Sequence, residues 1–206
     1  MCCVLFRYFI VLCFACLGFA VSGDNARAQS RSLFLDFGQT TYTPTGWAEF
    51  CVRYKGDCEQ SHDRTQEIIS NDANVALIYR VNKQVNDAIK PLPDVEHWRQ
   101  IDRWDYAEDG SGDCEDYALV KRKLLLAAGL PQGALLMTVV RDKNSDGHAV
   151  LTVRTDRGDL VLDNMSDQLH LWFRTPYRFV KIQSQQDPNT WVTIGAGTTR
   201  PQIVSR

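Results

Sequence analysis

Three residues able to share a nucleophilic reaction lie along the chain: Cys114, His148 and Asp163. Cys114 follows the turn Gly110-Ser111-Gly112-Asp113 and opens a stretch in which Tyr117, Val120, Leu124 and Ala128 recur at helical spacing. Gly129-Leu130-Pro131 stops that helix. A sulfur at a helix N-terminus meets free backbone N–H groups and the positive end of the helix dipole, which favour a thiolate. The same N–H groups are suited to hold the oxyanion of a tetrahedral intermediate. The plainer alternative is a buried, inert cysteine. Against it stand the charged neighbours Asp113, Glu115 and Asp116. Carboxylates so close oppose thiolate formation, so a nucleophile here needs a cationic partner or a bound metal.

His148 is the candidate base, at the start of the strand-like run His148-Ala149-Val150-Leu151-Thr152-Val153. The other histidines past the first segment, His62, His97 and His170, lie in polar or weakly structured surroundings. Thr155-Asp156-Arg157-Gly158-Asp159 separates the His148 run from Leu160-Val161-Leu162-Asp163. A two-residue hairpin loop there sets His148 and Asp163 on the same sheet face as offset neighbours, whereas a three-residue loop sets them on opposite faces. In the favourable register Asp163 orients the imidazole, His148 accepts the thiol proton and Cys114 attacks a carbonyl. Asn164 points the other way and is the weaker orienter.

The elements that must position these groups follow from periodicity. Ile78, Val81, Val85 and Ile89 on one face predict a helix from about Asp63 to Lys90, ended by Pro91-Leu92-Pro93. The cysteine helix runs from about Asp113 to Ala128. Beyond it the period becomes two, and Leu135–Arg141, Ala149–Thr155, Leu160–Asp163 and Tyr177–Gln183 read as short strands. Helices followed by an antiparallel meander predict an α+β fold. Residues 29–62 read as a loop-rich entry, 63–195 as the catalytic domain and 196–206 as a flexible tail. Asp142-Lys143-Asn144-Ser145-Asp146-Gly147 imitates the start of an EF-hand loop, but position twelve is Val153 and not glutamate, so a hairpin turn is expected.

Composition narrows the setting. The chain has 206 residues with 23 basic and 25 acidic side chains and a formal charge of −2, so no basic excess invites nucleic acid. Arg7 precedes an apolar stretch from Tyr8 to Val21, about 21 Å if helical and short of a hydrocarbon core of about 30 Å. Ala26-Arg27-Ala28 then offers a small-x-small cleavage site. Residues 1–28 therefore read as a secretory signal, and the mature chain is expected in a periplasm or outside the cell. Four of the seven cysteines leave with that segment. Cys51 and Cys58 are expected to close a small disulfide ring, which leaves Cys114 as the unpaired thiol.

Gly112-Asp113-Cys114-Glu115-Asp116-Tyr117, Gly147-His148-Ala149-Val150-Leu151 and Val161-Leu162-Asp163-Asn164, in this order, resemble the bacterial transglutaminase-like cysteine peptidases. That family includes the LapG-like periplasmic proteases, which release large surface adhesins. The resemblance implies a papain-like/transglutaminase core, with the cysteine helix packed on an antiparallel β-sheet that carries His and Asp. It implies Cys114 as nucleophile, His148 as general base and Asp163 as orienter, with Trp104 as a substrate wall or oxyanion neighbour. It also implies calcium beside the cysteine, on Asp113 and Glu115 with Asp116 as a further ligand. Convergent carboxylate oxygens suit that hard cation, although a run of acids is also ordinary solvated charge.

The expected function is cleavage of a protein substrate by an exported, monomeric cysteine peptidase. The rivals are acyl transfer to an amine on the same triad, and a calcium- or partner-binding module whose triad is vestigial. LapG-like proteases answer to an inner-membrane receptor that senses a cyclic dinucleotide, which makes such a receptor an expected partner. The Cys51/Cys58 pair departs from the larger LapG pattern and points to a branch with a different target.

Overall fold

A computed structural model describes residues 32–63 and 67–195. The expected signal over 1–28 and the tail from 196 lie outside the described residues. In chain order the elements are β1 (Phe37–Thr41), α1 (Thr45–Arg53), α2 (Asp72–Ala88), β2 (Lys90–Pro91), the single-turn α3 (Asp94–His97), β3 (Ser111–Gly112) and α4 (Cys114–Ala127). There follow β4 (Leu135–Arg141), β5 (Gly147–Thr155), β6 (Gly158–Asp163), β7 (Ser166–Leu171), β8 (Arg178–Gln183) and β9 (Trp191–Ile194). Seven strands form an antiparallel sheet in the order β1-β9-β8-β4-β5-β6-β7, and β2 pairs with β3 in parallel. The mixed helix and antiparallel-sheet architecture is the α+β arrangement expected from the sequence.

Period-two alternation explains how the sheet is covered on both faces. In β4, Leu135, Met137 and Val139 join the core built with Trp47 and Phe50 of α1, Ile78 and Val85 of α2 and Leu119 and Leu125 of α4. The intervening Leu136 and Val140 join a smaller cluster with Val150, Val161 and Phe179. Each such side chain, fully buried, contributes roughly 1.5–3 kcal/mol. The turn between β4 and β5 is held by Asp142, whose Oδ1 accepts the N–H groups of Asn144 and Asp146 at 2.9 Å. The EF-hand imitation is thus the hairpin turn that the sequence predicts.

Two expectations need correction, and one strand was not expected. Within the expected loop-rich segment 29–62, the described residues 32–62 carry β1, which pairs with β9 at the edge of the main sheet, and α1, which buries Trp47 and Phe50 in the core. Thr and Gly lower the helical signal around α1, yet its tertiary contacts decide the outcome. The Cys51–Cys58 disulfide ties α1 to the turn that follows it. The second correction concerns α2, which starts at Asp72 and not near Asp63, because Asn71 caps it by accepting the Asn74 N–H at 2.8 Å. Ile68 instead bridges to Thr155 in parallel. The unexpected strand is β7, whose polar residues hid an edge strand.

Gly46 shows how tightly α1 is seated. A Cβ there would lie 2.1 Å from Trp104 Cδ1. The indole cannot retreat, since Trp104 packs edge-on against Trp47 and Trp191 at 6.1 and 6.2 Å and donates its N–H to Asp102 Oδ1 at 2.8 Å. Gly46→Ala is expected to lose about 1–3 kcal/mol of stability from overpacking, despite alanine's better helix propensity. Urea unfolding checks this, and an unchanged or raised midpoint would contradict it.

Candidate active site

Cys114 is the first residue of α4, with Asp113 at the N-cap. Asp116 Oδ2 accepts the Asp113 N–H at 3.2 Å, the returning half of a capping box that fixes where the helix starts. The sulfur is buried, 2% exposed. It lies 3.4 Å from the backbone N–H of Ala149, which it accepts, and its S–H donates to Glu115 Oε2 at 3.1 Å. Because the Ala149 donor is next in sequence to His148, this contact places the start of β5 at the start of α4.

The β5–β6 register decides the rest. Thr155 pairs with Gly158 and Leu151 with Leu162, so the loop is the two-residue Asp156-Arg157. His148, second in β5, and Asp163, last in β6, therefore stand at one end of the sheet on one face. His148 Nε2 and Asp163 Oδ1 are 3.0 Å apart. Both side chains are buried, at 1% and 8% exposure. Nε2 being taken, Nδ1 is the ring nitrogen left for the thiol; it is buried and has no hydrogen bond of its own.

The charges in this corner follow from burial and partners. Burial alone would pull the His148 imidazole down, but Asp163 and Cys114 favour the cation more strongly and carry it up to about 9. Burial would raise the Asp163 carboxyl, yet His148, the Tyr177 hydroxyl and the Met165 N–H hold it below the usual range. The acids at the head of α4 behave in the opposite way. Glu115, wholly buried, is pushed far above the carboxylate range by desolvation and then by Cys114, Asp113 and Asp116. Asp116 rises to about 9, through burial and then through Asp113 and Asp94, against the pull of the N–H groups it accepts.

The acids group around Asp113. One ligand atom each from Asp113, Cys114 and Glu115 lie within 4.8 Å of one another, and so do one each from Asp94, Asp113 and Asp116. The sequence-derived set Asp113, Glu115 and Asp116 is therefore divided between two groups that share Asp113. Trp104 is fully buried in its aromatic cluster with its N–H engaged by Asp102, so its side chain is not a free oxyanion donor. Tyr177 and Asp94 were missed by sequence reasoning. Tyr177 stands just before β8 and reads as a strand residue, and Asp94 follows Pro91-Leu92-Pro93 with no motif around it.

A family model for the bacterial transglutaminase-like cysteine proteinases, BTLCP, matches residues 37–199. That span takes in every element from β1 to β9. The chain belongs to this family. Among solved structures it is similar to calcium-bound LapG of Legionella pneumophila, at 23% identity and a TM-score of 0.50, over 63% of this chain and 75% of that one. EGTA-treated LapG of the same organism is similar at 21% identity and a TM-score of 0.47, over 66% of this chain and 73% of that one. The first likeness bears on the fold, which is transglutaminase-like. No curated protein matches the sequence.

With Asp163 and Cys114 beside it, His148 is expected to stay protonated at neutral pH. The sign is direct: the folded value of about 9 lies above the ordinary value of 6.5, so the imidazolium persists until pH rises through about 9. In Asp163→Asn the neutral amide cannot support that charge, and the midpoint is expected to fall by at least about one pH unit. NMR titration of the imidazole checks this. Equal midpoints near 6.5 in both proteins would contradict it.

Proposed function

We propose that this protein is an exported cysteine peptidase that cleaves a protein substrate through an acyl-enzyme on Cys114. The observation that carries the reading is the buried bond between His148 and Asp163, set beside a sulfur at the head of α4. Membership of a cysteine-proteinase family supports it. In this reading the thiol proton already rests on His148 Nδ1, as a thiolate–imidazolium pair, and Sγ attacks the scissile carbonyl carbon. Backbone N–H groups in the first turn of α4 receive the oxyanion. When the tetrahedral intermediate collapses, the C–N bond breaks and the imidazolium gives its proton to the leaving amine. Water, relieved of a proton by the same nitrogen, then hydrolyses the thioester and restores the thiol. Asp163 keeps the ring in its tautomer and orientation. The Tyr177 hydroxyl, donated to Asp163 Oδ2, fixes that carboxylate in turn.

Calcium belongs to the same reading, with Asp113, Glu115 and Asp116 as its holders. These side chains are buried, Glu115 Oε1 accepts no hydrogen bond, and carboxylate oxygens suit a hard cation. The similar LapG structure is calcium-bound. When bound, the ion supplies positive charge that offsets the carboxylates around the thiol. Export rests on the N-terminal signal-like segment, and a protein of the cell surface is the substrate class that the family resemblance favours.

Incubating the purified exported chain with total surface protein, and mapping new N-termini, tests the reading. Discrete new N-termini are expected, lost with chelator and reduced at least about a thousandfold in Cys114→Ala. A glutamine-donor peptide with a labelled primary amine runs alongside. Incorporation of the label without any cleavage would replace the peptidase by an acyl transferase, and neither cleavage nor incorporation would favour a binding module.

A further inference from the structure

Asparagine is disfavoured in a helix interior, yet α2 carries two, Asn82 and Asn86. Side chains four apart lie one above the other on a single helix face. Asn82 is fully buried, in a run where Ile78, Val81 and Val85 are buried as well. A buried amide is costly unless its hydrogen bonds are made. Both amides make theirs to the turn that joins β6 to β7. Asn82 Nδ2 donates to the carbonyls of Ser166 at 2.9 Å and Asp167 at 3.1 Å. Asn86 Nδ2 donates to the Asp163 carbonyl at 3.0 Å and to Asp167 Oδ1 at 3.0 Å, and the Ser166 carbonyl at 3.2 Å shares its two hydrogens.

That turn needs a hold from outside the sheet. Asp163 pairs with Ser166, so the loop is the two-residue Asn164-Met165, and the ladder shifts register between Val161 and Asp163. β7 is an edge strand whose neighbour in the sheet is β6. An irregular ladder at the end of an edge pair fixes the place of Asp163 only weakly. The carboxylate itself is held at its tip: Oδ1 accepts the Met165 N–H at 3.0 Å and faces His148, while Oδ2 accepts from Tyr177. Asn86 holds the main chain of the same residue, from a helix that is not part of the sheet. Besides His148 and Tyr177, Lys121 of α4 faces this corner; burial pulls its ammonium down to about 7, against the attraction of Asp163 and Asp167.

We propose that Asn86, supported by Asn82, is a positioning residue for the triad: it anchors the β6–β7 turn to α2 so that the Asp163 carboxylate meets His148 Nε2. Asn86 acts through Asp163 and not on the sulfur or the imidazole. This rests on the triad of the proposed function, and it adds a residue and a helix outside the three sequence blocks that carry the family resemblance. An alkyl group of the same size at position 86 leaves the Asp163 carbonyl without this donor. The turn is then free to shift, and the carboxylate shifts with it.

NMR titration of the His148 imidazole, in the purified exported chain and in three variants, tests the proposal. The unmodified chain is expected to titrate at about 9. Asn86→Leu, similar in size but without an N–H donor, is expected to lower that midpoint by at least about half a pH unit, roughly threefold in the ionisation constant. Asn86→Gln keeps the amide and is expected to hold the midpoint within about 0.3 unit of the unmodified chain. Asp87→Asn alters the next residue of α2, which is exposed and paired with Lys83, and is expected to leave the midpoint in place. A loss of stability alone would lower a urea midpoint without moving this one. A second measurement needs no variant: in the unmodified chain the side-chain amide protons of Asn82 and Asn86 are expected to exchange at least about tenfold more slowly than those of exposed Asn144. An elevated midpoint that Asn86→Leu leaves unaltered, or equal exchange at Asn86 and Asn144, would overturn the role of Asn86 and leave the triad standing. A midpoint of about 6.5 in the unmodified chain would overturn both.

Discussion

Putting several carboxylates and a sulfur together out of water makes their mutual repulsion the constraint on this structure. Asp113, Glu115 and Asp116 are buried with Cys114 in the first turn of α4, and Asp94 reaches the same place from α3. In a low-dielectric interior such a group persists only where protons or a cation neutralise it. Positive charge reaches the sulfur from the opposite side as well, through an imidazole whose proton is held by Asp163. The helix that opens at Cys114 thus lies between an acid cluster neutralised by protons or a cation and a histidine that carries positive charge. The capping role of Asp116 shows that the cluster also fixes the helix start itself.

The sheet makes the convergence possible. A two-residue turn between β5 and β6 sets an even offset between His148 and Asp163, so the two side chains share a face and an end of the sheet. Shifting the register by one residue would turn the carboxylate away. The aromatic cluster of Trp47, Trp104 and Trp191 joins α1, the loop before the acid cluster and β9 in one packed unit. That packing keeps the loop bearing Asp102 and Asp105 beside α4.

Much of this could be read from the chain. The boundaries of β4, the start and end of α4 and the face shared by His148 and Asp163 follow from period and turn length, which are local. The disulfide follows from cysteine count and loop length. What escaped depends on long-range contacts. Thr45–Arg53 has weak helical propensity and becomes a helix because Gly46 admits the Trp104 indole and Trp47 fills the core. β7 is polar along much of its length and is a strand because β6 offers it an edge. Asp94 carries no motif and lies beside Asp113 because two short strands pair just ahead of both residues. Tyr177 reaches Asp163 across the fold for the same kind of reason.

The proposed chemistry requires the sulfur of Cys114 and the imidazole of His148 to share one cleft. Bifunctional alkylation with 1,3-dibromoacetone, followed by peptide mapping, measures this directly, since its three-carbon bridge joins only a thiol and an imidazole that are close together. The expected product is a single cross-link between Cys114 and His148, formed in the native protein and lost on unfolding. Alkylation of Cys114 without a bridge, or a bridge to His97 in place of His148, would contradict the arrangement on which the proposed chemistry depends.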